Sequence, residues 1–348
     1  MATIAFRTTA GKQIGFGHLR RCLTLAGELR RAGGAASPIC FWIDSDPAAV
    51  DVAVAAGFEA RLVSGPEPEA TAAWLDAGEV GTLVVDSYTV APAWFSAWRH
   101  RVGMLVAIDD LADRELDVDV VVNGTPQAAQ LSYRTAAGAQ LLLGPRYALL
   151  RPHFRDLPVR RAAPRVTRVL VTLGGADPHS STAAVVEAVK RALPAAALDV
   201  VIGPLFGPVP DLDRCAATDP ARLQLHRDLD DLSALMAAAD LAVSGGGQTL
   251  YELAAAGVPT LALSLADNQD PNIAALAGVS LLSAGRLSES AADGFRSIEE
   301  GCRQLAADPA LRQRMSDAGR SLIDGQGAAR VADVILRSGQ APRSVEQG

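Results

Sequence analysis

The chain has 348 residues, 49% of them apolar, which is enough to bury a core in each of two ordinary domains. Its net charge is −7 and its arginines are spread along the chain, so no electrostatic footprint of a nucleic-acid partner is present. The four cysteines, Cys22, Cys40, Cys215 and Cys302, are widely separated and show neither Cys-x-x-Cys nor Cys/His spacing, which points to neither a disulfide framework nor a zinc site.

The first residues, Met1 to Arg7, read as a short strand and lack the basic start and long apolar stretch of a signal peptide. No run approaches the roughly 20 apolar residues that span a bilayer. The expectation is a cytoplasmic protein without a membrane partner.

Short β-like runs alternate with Ala/Leu-rich helical stretches, the pattern of parallel sheets covered by helices. In the first half, strands are expected over 3–6, 39–43, 83–85, 104–108, 118–122 and 140–143, with helices over 19–32, 47–56, 69–77 and 91–100. Between Tyr147 and Arg168 the texture turns to Arg and Pro and reads as a linker at 151–166. The alternation then restarts: strand 168–173, helix 180–193, strands 198–202 and 223–225, helix 232–239, strand 241–243, helix 248–256 and strand 260–263. Helices follow to about Arg337, ahead of a polar, frayed tail. The expected architecture is α/β, with an N-terminal Rossmann-like domain over 1–150, a C-terminal one over 167–325, and a terminal helix and tail over 326–348.

Open α/β sheets bind ligands at the carboxyl ends of their strands, so the strand-to-helix loops facing the crevice between the domains are the candidates. The first is Gln13-Ile-Gly-Phe-Gly-His18, ahead of an amphipathic helix with Cys22, Ala26 and Leu29 on one stripe. Gly15 and Gly17 permit a tight turn close to a ligand, and His18 falls at the helix N-terminus. The positive end of a helix disfavours an imidazolium, which suits a general base; the plainer reading is that His18 only caps or packs the helix start. Arg20 stands where G-x-G-x-x-G needs its third Gly, so a dinucleotide site is disfavoured although Asp44 follows the second strand.

A second loop, Ser244-Gly-Gly-Gly-Gln-Thr-Leu-Tyr-Glu252, places Gly245, Gly246 and Gly247 before a helix that begins at Gln248 and Thr249. Backbone N–H groups there can cradle a diphosphate, and Glu252, one turn on, can take both hydroxyls of a ribose; the plainer reading is a turn that permits close packing. A third, Gly174-Gly175-Ala-Asp177-Pro-His-Ser180-Ser-Thr, offers a Gly pair to a pyrophosphate or sugar and good N-cap types in Ser180, Ser181 and Thr182, with Asp177 and His179 read as solvated. In a fourth, the amides of Asn268, Gln269 and Asn272 either fix sugar hydroxyls or cap the next helix. Two strand ends complete the set: Asp86-Ser-Tyr88 and Asp109-Asp110, where Asp86 and Asp110 anchor a substrate, support His18, or only shape turns.

These pieces together resemble a known family. Phe6-Arg7, Ile14-Gly-Phe-Gly-His-Leu-Arg-Arg21-Cys22, Val85-Asp-Ser-Tyr88, Ile108-Asp-Asp-Leu-Ala-Asp-Arg114, Leu143-Gly-Pro-Arg-Tyr-Ala-Leu-Leu-Arg-Pro-His-Phe154, Leu173-Gly-Gly-Ala-Asp177 and Asp267-Asn-Gln269 are similar, in this order, to the UDP-2,4-diacetamido-2,4,6-trideoxy-β-L-altropyranose hydrolases of pseudaminic acid biosynthesis and their spore-coat polysaccharide relatives. The loop from Ser244 to Pro259 is similar to the donor-binding segment of MurG-type glycosyltransferases. The resemblance implies a GT-B fold, two Rossmann-like doubly wound domains facing across a cleft, with UDP on the C-terminal side. It implies a UDP-sugar substrate, no cofactor and no metal, and it places the catalytic histidine on His18, a tyrosine on Tyr88 and an active-site asparagine on Asn268. Arg21 lies within the matched stretch and joins the candidate binding residues. The family's Asp-His-Tyr-Gly reads Asp86-Ser87-Tyr88-Thr89 here, which leaves the sugar open.

The reaction so implied is hydrolysis of a UDP-linked amino or deoxy sugar at the anomeric carbon with inversion. The alternatives are a glycosyltransferase using an acceptor hydroxyl, and a non-catalytic nucleotide-sugar binding protein.

Overall fold

The computed structural model describes residues 2–11, 14–33, 37–63, 80–175, 177, 180–227, 229–287 and 291–338. The helix expected over 69–77, His179 and the tail beyond Ser338 lie outside them. Contacts divide the chain into two compact units, Met1–Pro152 with Gly325–Gly348, and His153–Asp324.

The first unit is built on seven parallel strands. In chain order these are β1 (Thr3–Ala10), β2 (Ile39–Ser45), β3 (Glu59–Leu62), β4 (Val80–Asp86), β5 (Met104–Ile108), β7 (Val120–Asn123) and β9 (Gln140–Leu143); the short β6 (Glu115–Leu116) and β8 (Arg134–Thr135) pair apart from them. The order across the sheet is β3-β2-β1-β4-β5-β7-β9, so the chain reverses direction between β1 and β4. Every pairing in it is parallel, and β1 lies in register with β2 on one side and β4 on the other. Parallel strands need crossovers, and these pack on both faces. Helix α1 (Gly17–Gly33) covers one face with Leu19, Cys22, Leu25, Ala26 and Leu29, against Phe6, Phe41 and Val106. Helix α3 (Pro92–Arg99), which follows α2 (Pro47–Ala55), covers the other with Trp94, Phe95 and Trp98 against Leu83, Val85 and Leu105.

The second unit repeats the plan. Strands β10 (Arg168–Thr172), β11 (Ala197–Ile202), β12 (Leu223–Arg227), β13 (Leu241–Gly245), β14 (Thr260–Ser264) and β15 (Leu281–Arg286) form a parallel sheet in the order β12-β11-β10-β13-β14-β15. Its helices are α4 (Thr182–Ala192), α5 (Pro210–Thr218), α6 (Ser233–Ala238), α7 (Thr249–Ala255), α8 (Asp270–Leu276), α9 (Ala291–Ala307) and α10 (Pro309–Leu322). The apolar periodicity of α4 puts Val185, Val186 and Val189 on the sheet beside Ile298, Cys302 and Leu305 of α9.

Several expectations change. β3 and β15 were not expected as strands: β3 is almost wholly exposed and β15 is buried mainly at its first residue, so neither carries the apolar run of a central strand. Helices therefore do not run unbroken to the C-terminus. The Arg- and Pro-rich stretch is fastened to the second unit: Arg160 donates to the carbonyls of Met236 and Ala237 at 2.7 and 2.8 Å, and the Ala162 N–H donates to Gln313 Oε1 at 2.8 Å. The final helix, α11 (Gly327–Ser338), belongs to the first unit, where Val331, Ala332 and Ile335 enter the core beneath α1. No helix among the described residues is long and apolar enough to cross a membrane.

Candidate active site

Between the adjacent strands β1 and β4 the strand order reverses, and ligands of doubly wound sheets bind at the carboxyl ends of such a pair. The chain places its unusual residues at that point. After β1 the backbone turns through Gly15, whose φ of 84° favours glycine, with its N–H and carbonyl bonded back to Gly11. Helix α1 then begins at Gly17, with His18 in its first turn.

His18, Arg21 and Cys22 fall at i, i+3 and i+4 on one face of α1, where side chains share surroundings. Asp86, the last residue of β4, stands against all three and is wholly buried. His18 Nδ1 lies 2.6 Å from Asp86 Oδ1, Arg21 Nε donates to Asp86 Oδ2 at 2.5 Å, and Arg21 Nη2 donates to Oδ1 at 2.6 Å. Cys22 Sγ adds a weak donor 3.6 Å from Oδ2. From the end of β5, Asp110 Oδ2 accepts from Arg21 Nη1 at 2.6 Å and from the Tyr88 hydroxyl at 3.0 Å. The His18 and Tyr88 rings meet edge to face, with centroids 4.5 Å apart and planes at 85°.

Burial alone would raise the Asp86 carboxyl, but the Arg21 charge and the hydrogen bonds from Arg21 and His18 together outweigh it and hold the carboxyl below the ordinary value of 3.8. An ionised Asp86 fixes the imidazole tautomer: an anion 2.6 Å from Nδ1 requires the proton on Nδ1. The 3.2 Å approach of Arg21 Nη2 to the same nitrogen is then a contact between two donors. In the neutral ring the lone pair then lies on Nε2, which has no hydrogen-bond partner among the described residues. Burial, and then the Asp110 charge, push the Tyr88 phenol up, so it remains a hydrogen-bond donor through the neutral range.

Of the roles weighed for Asp86, its contacts are those of a support for His18. Arg21, grouped with the candidate binding residues, donates to Asp86 and Asp110. Asp44, weighed as a ribose ligand, lies inside β2 and pairs with the buried Arg7 at 2.7 Å.

Two further residues hold the loop of Tyr88. Arg114 donates to the carbonyls of Tyr88 at 2.8 Å, Ser87 at 3.1 Å and Val90 at 3.2 Å, and to Asp109 Oδ2 at 3.3 Å. Asp109 Oδ1 accepts from the N–H groups of Leu111 and Ala112, and so supports Ala112 at a φ of 52°. Sequence reasoning placed Arg114 in a matched motif without a role, because its partners are mostly backbone carbonyls, which no side-chain pattern reveals.

In the second unit the chain reverses between β10 and β13, and the loops after these strands carry Gly174 and Gly175 and Gly245 to Gly247. Gly174 has a φ of 106°. A Cβ on Gly245 would stand 2.8 Å from the Leu173 carbonyl oxygen, and one on Gly246 would stand 2.7 Å from Gln269 Cβ, whereas Gly247 is open. The Gly246 N–H donates to Gln269 Oε1 at 2.9 Å, and the Leu265 N–H donates to the same oxygen at 3.0 Å. That corrects two expectations: the Gly246 N–H is not free, and the Gln269 carbonyl is a brace of the loop. Asn272 serves similarly, donating to the Gly246 carbonyl at 3.1 Å and accepting from the Tyr251 hydroxyl at 2.8 Å. The N–H groups of Gly247, Gln248 and Thr249 have no acceptor among the described residues. Glu252 lies in the first turn of α7, half-buried, and Asn268 is exposed in the 3₁₀ turn Asp267–Gln269. Asp177, read as solvated, caps α4 by accepting from the N–H groups of Ser181 and Thr182 at 2.9 and 2.8 Å.

Two parallel-sheet Rossmann-like units of this kind define the GT-B fold, and solved structures agree. MurG of Acinetobacter baumannii matches with a TM-score of 0.62 at 14% identity, covering 96% of this chain and 99% of that one. The calicheamicin glycosyltransferase CalG4 matches with a TM-score of 0.63 at 18% identity, covering 97% and 98%. No family model matches the chain. Among curated proteins, the uncharacterized protein MJ1062 of Methanocaldococcus jannaschii is 23% identical over 75% of this chain and 55% of its own length. The spore coat polysaccharide biosynthesis protein SpsG of Bacillus subtilis is 27% identical over 62% of this chain and 64% of its own. A UDP-N-acetylglucosamine–N-acetylmuramyl-(pentapeptide) pyrophosphoryl-undecaprenol N-acetylglucosamine transferase of Sorangium cellulosum is 38% identical over 33% of this chain and 29% of its own. The chain thus spans less than two thirds of each of these relatives.

Proposed function

We propose that this protein transfers a glycosyl group from a UDP-sugar to an acceptor hydroxyl, with His18 as the general base. The observation that carries the reading is the Asp86–His18 pair at the switch point of the first sheet: an ionised, buried carboxylate on Nδ1 leaves Nε2 as a proton acceptor. The likeness in fold to MurG and CalG4, and the partial sequence match to an N-acetylglucosamine transferase, support a nucleotide-sugar donor.

The glycine loops at Gly174–Gly175 and Gly245–Gly247 receive the diphosphate, with the N–H groups of Gly247, Gln248 and Thr249 as donors and Glu252 as the candidate for the ribose. On the first unit, Nε2 of His18 takes the proton from the acceptor hydroxyl while its oxygen forms a bond to the anomeric carbon. The bond from that carbon to the diphosphate oxygen breaks, UDP leaves as the anion, and the configuration inverts. Tyr88, half-exposed at the edge of the imidazole, is the candidate for a contact with the sugar or the acceptor, and Asn268 for a sugar hydroxyl.

A second reading replaces the acceptor with water. It is supported by the resemblance of the stretches from Phe6 to Gln269 to UDP-sugar hydrolases, and the likeness to SpsG fits either reading. Mass spectrometry of a UDP-sugar panel, with and without candidate acceptors, separates the two. A mass-shifted acceptor means transfer, and free sugar with UDP from the donor alone means hydrolysis. Donor that remains intact in every mixture would overturn both and leave a binding protein.

A further inference from the structure

Asp86 has two ways to satisfy its charge and only one of them serves His18. A carboxylate turns about its terminal bond with little resistance, and one held by a single partner presents either oxygen, at varying angle, to a neighbouring ring. Here the turn is blocked. The Arg21 fork meets Asp86 edge to edge, Nε on Oδ2 and Nη2 on Oδ1, the bidentate geometry that only a guanidinium offers. The remaining nitrogen is anchored on Asp110 at 2.6 Å, so the fork itself cannot swing. Arg21 is 7% exposed, and each of its three nitrogens donates to a carboxylate oxygen.

The helix supplies the rest. Arg21 lies three residues beyond His18 on the same face of α1, so the base and the clamp on its partner move as one rigid body. The charges and titratable groups around the imidazole are Asp86 at the end of β4, Asp110 at the end of β5, Tyr88 in the loop between them, and Arg21 and Cys22 on α1. Arg21 is the cation that these hydrogen bonds place among them. Without it, Asp86 loses both bonds that fix its plane, and Asp110 loses the guanidinium that ties it to Asp86.

We propose that Arg21 is a positioning residue. Its guanidinium clamps Asp86 in the one orientation that sets Oδ1 on Nδ1 of His18, and thereby keeps the proton on Nδ1 and the lone pair on Nε2. The proposal rests on the reading of His18 as the base, and it replaces the expectation that Arg21 binds substrate.

The test uses nitrogen-15 NMR of the full chain labelled at histidine, with the His18 signals assigned by their loss in His18→Gln, alongside steady-state kinetics on whichever UDP-sugar the panel identifies. In the wild type the ring of His18 is expected as the Nδ1–H tautomer at neutral pH. Arg21→Lys keeps the charge and loses the fork. It is expected to broaden or mix the two tautomers and to lower kcat by about 10²-fold, with the KM for the donor within about threefold. Asp110→Asn leaves the fork on Asp86 and is expected to keep the wild-type tautomer.

A wild-type Nε2–H tautomer overturns the proposal without any variant. So does an Arg21→Lys protein with the wild-type tautomer and kcat, or one whose loss falls wholly on KM, which would make Arg21 a substrate ligand. The NMR result does not depend on turnover. Absence of activity on every UDP-sugar would therefore count against the glycosyl-transfer reading and leave the clamp to be decided by the tautomer.

Discussion

Asp86 exposes no surface, and that sets what it can do. A buried carboxylate keeps its charge only when neighbours compensate its lost hydration, and here Arg21 and His18 do so. Replacing it with Asn preserves shape but leaves Arg21 facing a neutral amide. Urea unfolding at neutral pH is expected to show a loss of about 3–5 kcal/mol for Asp86→Asn. The sign of the pH dependence follows from the lowered carboxyl: the stability it contributes is complete above the unfolded value of 3.8 and is lost as the pH falls through the folded value below it. The gap between wild type and Asp86→Asn should therefore hold steady down to about pH 4 and then close. A gap that widens with acid would contradict the assignment. At this scale Asp86 and Asp110 stand out in the sequence as polar residues after apolar strands, His18 as a residue between glycines and a helix start, and Tyr88 through the family resemblance. The role of Arg21 is not legible: its partners are 65 and 89 residues away, and only the sheet order brings them together.

Among the elements, the central strands and the helices over them follow from apolar runs and periodicity, and the expected positions of β1, β2, β5, β9, β10 and β14 lie within or close to those observed. The edge strands β3 and β15 escape because they bury at most a single residue and carry no sustained apolar run, whereas the edge strand β9 is marked by three consecutive leucines. The glycine loop after β13 shows a similar limit. Three consecutive glycines look equivalent in sequence, yet two of them are needed for packing and one is open. Gly245→Ala would press a Cβ against the Leu173 carbonyl oxygen and is expected to destabilise by about 1–3 kcal/mol, whereas Gly247→Ala is expected to change stability by less than about 0.5 kcal/mol. Thermal melts of the two variants decide the matter; equal losses would mean that the loop is not held as described.

For the whole molecule, the chain order of the two units was legible in the repeated alternation, and the return of the last helix was not. An amphipathic stretch at a C-terminus gives no sign of which core it joins. Val331 and Ile335 are buried in the first unit, 0% and 1% exposed, so removing residues 325–348 takes two large side chains from that core, at about 1.5–3 kcal/mol each. Truncation after Asp324 is expected to lower the melting transition of the first unit, seen as lost near-ultraviolet signal from Trp94 and Trp98, whose packing lies in that unit. An unchanged transition would show that α11 is dispensable.

The central claim is that His18, oriented by Asp86, is the base in glycosyl transfer from a UDP-sugar. Its most direct test is UDP release by wild type and His18→Ala on the donor found in the panel, with donor binding measured in parallel. The account predicts turnover lower by about 10²–10⁴-fold in His18→Ala, with donor affinity within a few-fold of wild type. A His18→Ala protein that releases UDP at the wild-type rate would contradict it.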